Sequence, residues 1–190
     1  RPRPIPFYGE LGSINPIVAL PAALQANGPA LAATLAGSIT LGCGQFCTSP
    51  GVIVVRDDAA GQAFVRQLAE ALAAATPHPM LHDGIRAGFE AGAARLTAHP
   101  GVTTLVAPDS PDGAPRARLF TTDAATFIAS HALHDEVFGP SALVVTVRTL
   151  AETVAVLDAV QGSLTVTLWG AEADAPENHA LVRAAERIAG

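Results

Sequence analysis

Long apolar runs, basic clusters and cysteines are all scarce in this 190-residue chain, and each scarcity excludes a class of protein. No stretch approaches the roughly 18 to 20 uninterrupted apolar residues that cross a bilayer. The mean hydropathy of +0.35 owes much to alanine and does not argue for a membrane protein. Lys and Arg number 11 against 17 Asp and Glu, a formal net charge of -6. That leaves no basic stripe to neutralise a phosphate backbone, so small molecules are expected as ligands and nucleic acid is not. The two cysteines, Cys43 and Cys47, make no disulfide framework, and no nearby histidine pair completes a zinc set. His131 and His134 have helix-like spacing near Glu136, but further ligands are missing, so no metal is expected. The opening Arg1-Pro2-Arg3-Pro4-Ile5-Pro6 lacks the apolar core and cleavage site of a secretory signal, which makes a cytoplasmic location the expectation.

What is present reads as one folded domain over residues 1–190. The chain is 49% hydrophobic and 15% charged, a balance that excludes disorder as the main state. Ile17 to Leu20, between two prolines, reads as a buried strand, and Pro21 suits a helix start. Ala30 to Leu41 has helical periodicity, broken by Gly42 and Gly44 just before Cys47. Val52 to Val55 is a second strand, with Asp57 or Asp58 capping the helix that carries Phe64, Leu68 and Leu72. Helical spacing returns from Met80 to Leu96, apolar Val102 to Ala107 follows, and Pro108 to Pro115 reads as a loop or hairpin. Leu143 to Val147 and Leu164 to Trp169 read as strands, Leu150 to Val160 and Glu177 to Ile188 as helices. Short apolar strands alternating with longer helices predict an α/β fold with a mainly parallel sheet and helices on both faces.

Three clusters carry candidate chemistry. Cys47 lies in Gly42-Cys43-Gly44-Gln45-Phe46-Cys47-Thr48-Ser49-Pro50-Gly51, where glycines allow close backbone approach to a bound group. A nucleophilic thiol needs surroundings that favour thiolate, whereas most cysteines in apolar chains are small core residues; Cys43 fits that second description. Glu10, in Gly9-Glu10-Leu11-Gly12-Ser13-Ile14-Asn15-Pro16, stands between glycines directly before a strand. It is either a general base whose pKa a partly apolar setting raises or an exposed loop carboxylate. Asp135-Glu136-Val137-Phe138-Gly139-Pro140 places a carboxylate and a ring ahead of a tight turn and a strand, where a ribose-binding carboxylate or a plain loop charge would both fit.

Together, in order and spacing, these clusters resemble the aldehyde dehydrogenase superfamily. The family's Glu-Leu-Gly-Gly-Lys-x-Pro element matches Glu10 to Pro16, its Gly-Gln-x-Cys element Gly44 to Cys47, and its Glu-x-Phe-Gly-Pro element Glu136 to Pro140. Ser13 and Ile14 replace the usual Gly-Lys, and Val52 stands where many members carry arginine. These departures, with Pro4-Ile5-Pro6-Phe7, are similar to the ketoglutarate-semialdehyde and NADP-preferring fatty-aldehyde branch. The resemblance implies that the Cys47 thiolate attacks an aldehyde, that hydride passes to NADP or NAD, and that water activated by Glu10 hydrolyses the thioester. It implies the Cys47 backbone N–H as one oxyanion donor; the other, an asparagine, lies upstream of the matched region. Glu136 would hold the nicotinamide ribose, Phe138 pack near the ring, Leu11 and Gly12 contact the carboxamide, and Phe46 line the substrate funnel. The substrate would be a small aldehyde such as 2-oxoglutarate semialdehyde, and the whole protein a homo-oligomer. Family members are more than twice as long, with their dinucleotide-binding half ahead of the Glu-Leu-Gly element. Gly42-Cys43-Gly44 ends a helix instead of opening one and is no nucleotide fingerprint. The chain is therefore expected to be a catalytic-domain fragment, inactive by itself. A CoA-acylating enzyme, disfavoured by Glu10, and a non-catalytic binding or oligomerisation module are the alternatives.

Overall fold

A computed structural model describes residues 5, 6, 9, 12–108, 113–160 and 162–189. Six strands form one sheet: β1 (Ile17–Ala19), β2 (Val52–Arg56), β3 (Thr103–Val106), β4 (Arg118–Asp123), β5 (Ser141–Val147) and β6 (Thr167–Trp169). Their order is β3-β4-β5-β2-β1-β6. Only the β3–β4 pair is antiparallel; every other neighbouring pair is parallel. The expected mainly parallel α/β sheet is thus what the chain forms.

Helices cover both faces because successive strand residues point to opposite sides. Ile17, Ala19, Ile53, Val55 and Val144 pack with Leu35 and Ile39 of α1 (Pro21–Thr40) and with Phe64, Leu68 and Leu72 of α2 (Ala59–Ala73). Val18, Val52, Val54, Leu143, Val145 and Val147 face the other way. They meet Leu96 of α3 (Asp83–Ala98), Phe127 of α4 (Ala124–Ala129), Val156 and Leu157 of α5 (Leu150–Ala159) and Ala184 of α6 (Pro176–Ile188). Burying each of these larger side chains removes enough apolar surface to favour the fold by about 1.5–3 kcal/mol. Among the described residues no helix is long and apolar enough to cross a membrane.

Local chemistry sets the element ends. Of the two aspartates anticipated as caps for α2, Asp58 serves: its carboxylate accepts from Gly61 N at 2.9 Å. His82 caps α3, accepting from Gly84 N at 3.1 Å and Ile85 N at 3.3 Å. The two helical signals at Pro21 and Ala30 join in one helix that kinks at Asn27 (φ -152, ψ 29), with Pro29 inside it. A proline lacks the amide donor of a regular turn, so the helix bends there and then continues. The apolar stretch ending at Ala107 contains β3, which pairs antiparallel with β4; residues 109–112, within the stretch read as a loop or hairpin, lie outside the described residues.

Candidate active site

The three sequence clusters each end where a strand begins: residues 12–16 lead into β1, residues 45–51 into β2, and residues 135–140 into β5. Because β5, β2 and β1 are parallel neighbours in that order, segments 35 to over 100 residues apart arrive at one edge of the sheet. This is the amino edge, whereas open α/β sheets with a dinucleotide fingerprint bind at the carboxyl edge. The geometry agrees with the reading of Gly42-Cys43-Gly44 as no such fingerprint.

The segments touch. After α1 the chain reverses through three consecutive left-handed residues, Gly42 (φ 54), Cys43 (φ 58) and Gly44 (φ 66). Gly44 is there because nothing larger fits: a Cβ on it would stand 2.2 Å from the Gly139 carbonyl carbon and 2.6 Å from Pro140 N. The cysteine turn therefore lies backbone to backbone on the Gly139-Pro140 turn. Ser13 N points to Glu136 Oε2 at 3.4 Å, a long hydrogen bond. A Cβ on Gly12 would come within 3.2 Å of the same oxygen.

Asn15 makes the third connection. It is 2% exposed, and its Nδ2 donates to Cys47 O at 2.8 Å and Ser49 O at 3.0 Å. Its Oδ1 accepts from Ser13 Oγ at 2.6 Å and from Thr165 N at 3.2 Å. Ser13 Oγ in turn accepts from Leu164 N at 2.9 Å. Sequence reasoning passed over Asn15 as the variable position of its motif. The available signal was an amide side chain wedged between an apolar residue and a proline ahead of a buried strand. After glycine, Asn is among the residues that best tolerate its left-handed backbone (φ 50).

Cys47 is exposed on the outer side of its turn, and Cys43 is buried. The Cys43 thiol donates to His78 O at 3.2 Å, and burial pushes its pKa up, partly opposed by that contact. Cys43 thus matches its expected core role. Phe46 is half exposed and lays its ring over Gly42, where a Cβ would meet Cε2 at 2.7 Å. Gln45, between the two cysteines, donates to Gly42 O at 2.8 Å and accepts from Leu81 N at 2.9 Å, pinning the segment before α3 to the turn.

Glu136 and Phe138 line a cleft with Ser13, Gly44 and Ser49; Cys47 and Phe46 stand outside it on the same turn. Burial raises the Glu136 pKa, and the Ser13 N–H opposes the rise. Among the described residues, Ser49 Oγ in this cleft is buried without a hydrogen-bond partner. Glu10 and Leu11 lie outside the described residues. His134 has a structural use: Nε2 lies 2.7 Å from Phe127 O and its ring packs on Phe127 at 4.7 Å between centroids.

No protein-family model matches the chain. It is 41% identical over 192 residues to Alpha-ketoglutaric semialdehyde dehydrogenase 2 of Azospirillum brasilense, covering 100% of this chain and 37% of that protein. It is 34% identical over 193 residues to Alpha-ketoglutaric semialdehyde dehydrogenase of Acinetobacter baylyi, with the same two coverages. The chain thus spans 37% of the length of the curated relatives it matches. The crystal structure of a NAD-dependent benzaldehyde dehydrogenase from Corynebacterium glutamicum superposes with a TM-score of 0.69 at 19% identity, over 93% of this chain and 38% of that one. Over its whole length the chain is similar to part of the two alpha-ketoglutaric semialdehyde dehydrogenases, and its fold matches that of the aldehyde dehydrogenase structure.

Proposed function

We propose that residues 1–190 form the catalytic portion of an NAD(P)-dependent aldehyde dehydrogenase acting on 2-oxoglutarate semialdehyde, with Cys47 as nucleophile and Glu10 as general base. The observation that carries the reading is the meeting of the three clusters at the amino ends of β1, β2 and β5. The curated relatives are named for that aldehyde, and the similar fold of a NAD-dependent enzyme supports the cofactor class.

The chemistry follows from the side chains. Covalent capture of an aldehyde suits a thiol, and Cys47 is a free, exposed one. The Cys47 sulfur forms a bond to the carbonyl carbon, and the oxygen becomes an alkoxide facing the Cys47 N–H. A bound nicotinamide dinucleotide supplies the acceptor for the hydride that leaves this carbon. Glu10 takes a proton from water, whose oxygen attacks the Cys47 thioester; the C–S bond breaks, the acid departs and the thiolate returns. Glu136 and Phe138, with Ser49 Oγ unpartnered beside them, give the cleft a hydroxyl acceptor, an aromatic face and a spare polar group. That combination fits a ribose and an adjoining ring.

The test is aldehyde-dependent NAD(P)H formation with 2-oxoglutarate semialdehyde. It compares this chain with one extended to the length of the curated relatives. Turnover only in the extended chain, abolished by Cys47→Ala, is the expected result. An extended chain that folds and binds the dinucleotide yet oxidises no aldehyde would replace this reading with that of a binding module.

A further inference from the structure

We infer that Asn15 is a positioning residue for the Cys47 thiol. This rests on the reading of Cys47 as a nucleophile and goes beyond it by assigning what holds the thiol in place. Cys47 and Ser49 lie in a turn closed by Ser49 N donating to Phe46 O at 3.0 Å. A four-residue turn of this kind, exposed at Phe46, Cys47 and Thr48, has little packing of its own to fix it. Its attachments include the two bonds that the Asn15 amide gives to the carbonyl oxygens of Cys47 and Ser49, and just beyond it Gly51 N donates to Ile14 O at 2.7 Å and Gly51 O accepts from Leu143 N at 2.9 Å.

The consequence for Cys47 is directional. A planar trans peptide carries its N–H opposite its C=O. With the Cys47 carbonyl turned inward to Asn15, this planarity directs the Thr48 N–H the opposite way, and Cys47 itself is exposed. If the carbonyl swings free, that donor and the side-chain direction of Cys47 swing with it.

Asn15 is held firmly enough to do this. Its acceptor oxygen is taken by Ser13 Oγ and by Thr165 through both N (3.2 Å) and Oγ1 (3.3 Å). Ser13 is fixed by Leu164 N. The amide is thereby oriented with its nitrogen toward the cysteine turn, and neither end is free to flip. The hub also reaches the cofactor side of the site, since Ser13 N faces Glu136.

The experiment measures the rate and pH profile of iodoacetamide alkylation at Cys47 and Cys43, peptide by peptide, in the full chain. Asn15→Gly keeps the left-handed backbone while removing the amide, and Asn15→Asp keeps the acceptor but loses the donor. Asn178→Ala is the control, because that amide donates to Ala173 O at the surface, away from the cysteine turn. Thermal unfolding is recorded for each. Both Asn15 variants are expected to slow Cys47 alkylation at neutral pH by about tenfold, on the scale of losing two hydrogen bonds, and to displace its pH profile. Cys43 should stay slow in all. If Asn15→Gly does not fold, Asn15→Asp decides. Wild-type rates at Cys47 in variants that fold would overturn the positioning role and leave the nucleophile standing. A wild-type Cys47 no faster than a free cysteine would instead remove the nucleophile reading, and the positioning role with it.

Discussion

Replacing Gly44 with alanine should separate the two turns on which the site is built. A Cβ at this position would lie 2.2 Å, 2.3 Å and 2.6 Å from the carbon and oxygen of the Gly139 carbonyl and from Pro140 N. All three are backbone atoms, with no rotamer to give way. The left-handed conformation (φ 66) costs an L-residue about 1–2 kcal/mol, and forced overpacking typically adds about 1–3 kcal/mol. A loss of roughly 2–5 kcal/mol in a chain of this size lowers Tm by about 4–20 °C. Gly37→Ala is the matched comparator, because a Cβ there meets nothing within 4 Å inside α1. That change should stabilise by up to about 1 kcal/mol. Differential scanning fluorimetry of the two variants beside the wild type makes the comparison. A Gly44→Ala protein unfolding within about 2 °C of wild type would refute the reasoning that the turns are in backbone contact.

Two further outcomes are expected. Phe64 is 1% exposed and meets Trp169 edge to face at 6.3 Å between centroids, so Phe64→Ala should cost about 3–5 kcal/mol in urea unfolding; a shift under about 1 kcal/mol would mean that α2 is not packed as described. Burial raises the Glu136 pKa, so the folded chain holds this proton more tightly than the unfolded one. Its contribution to stability therefore declines as pH rises through the interval just above the ordinary glutamate range. Glu136→Gln should remove that decline, and urea midpoints between pH 4 and 7 should fall less steeply than in wild type. Identical slopes would show that the carboxylate is solvated.

Much of this architecture was legible because it depends on short-range patterns. The apolar runs at Ile17, Val52 and Leu143 declare buried strands, and Pro21, Asp58 and Gly42 mark helix ends by their own chemistry. β4 was missed. In Arg118–Asp123 the adjacent Leu119 and Phe120 are both fully buried on opposite faces, so no alternation shows, and the strand's polar half reads as loop. α4 was missed as well, being six residues long and too short to display a helical period. Within the site the motif residues stood out individually, but their convergence depends on the strand order β5-β2-β1, which no local pattern encodes. Asn15 was invisible for the same reason: all its partners but Ser13 lie 32, 34 and 150 residues away.

The central claim is that one site captures an aldehyde on Cys47 and releases it through Glu10. The measurement that tests it most directly is a single-turnover experiment on the chain extended to the length of its relatives, carrying Glu10→Gln. With 2-oxoglutarate semialdehyde and NAD(P), the account predicts one burst of about one NAD(P)H per chain, followed by near arrest, with the acyl group found by mass spectrometry on the Cys47 peptide. Undiminished steady turnover would contradict the base assignment, and an adduct on Cys43 or on neither cysteine would contradict the nucleophile.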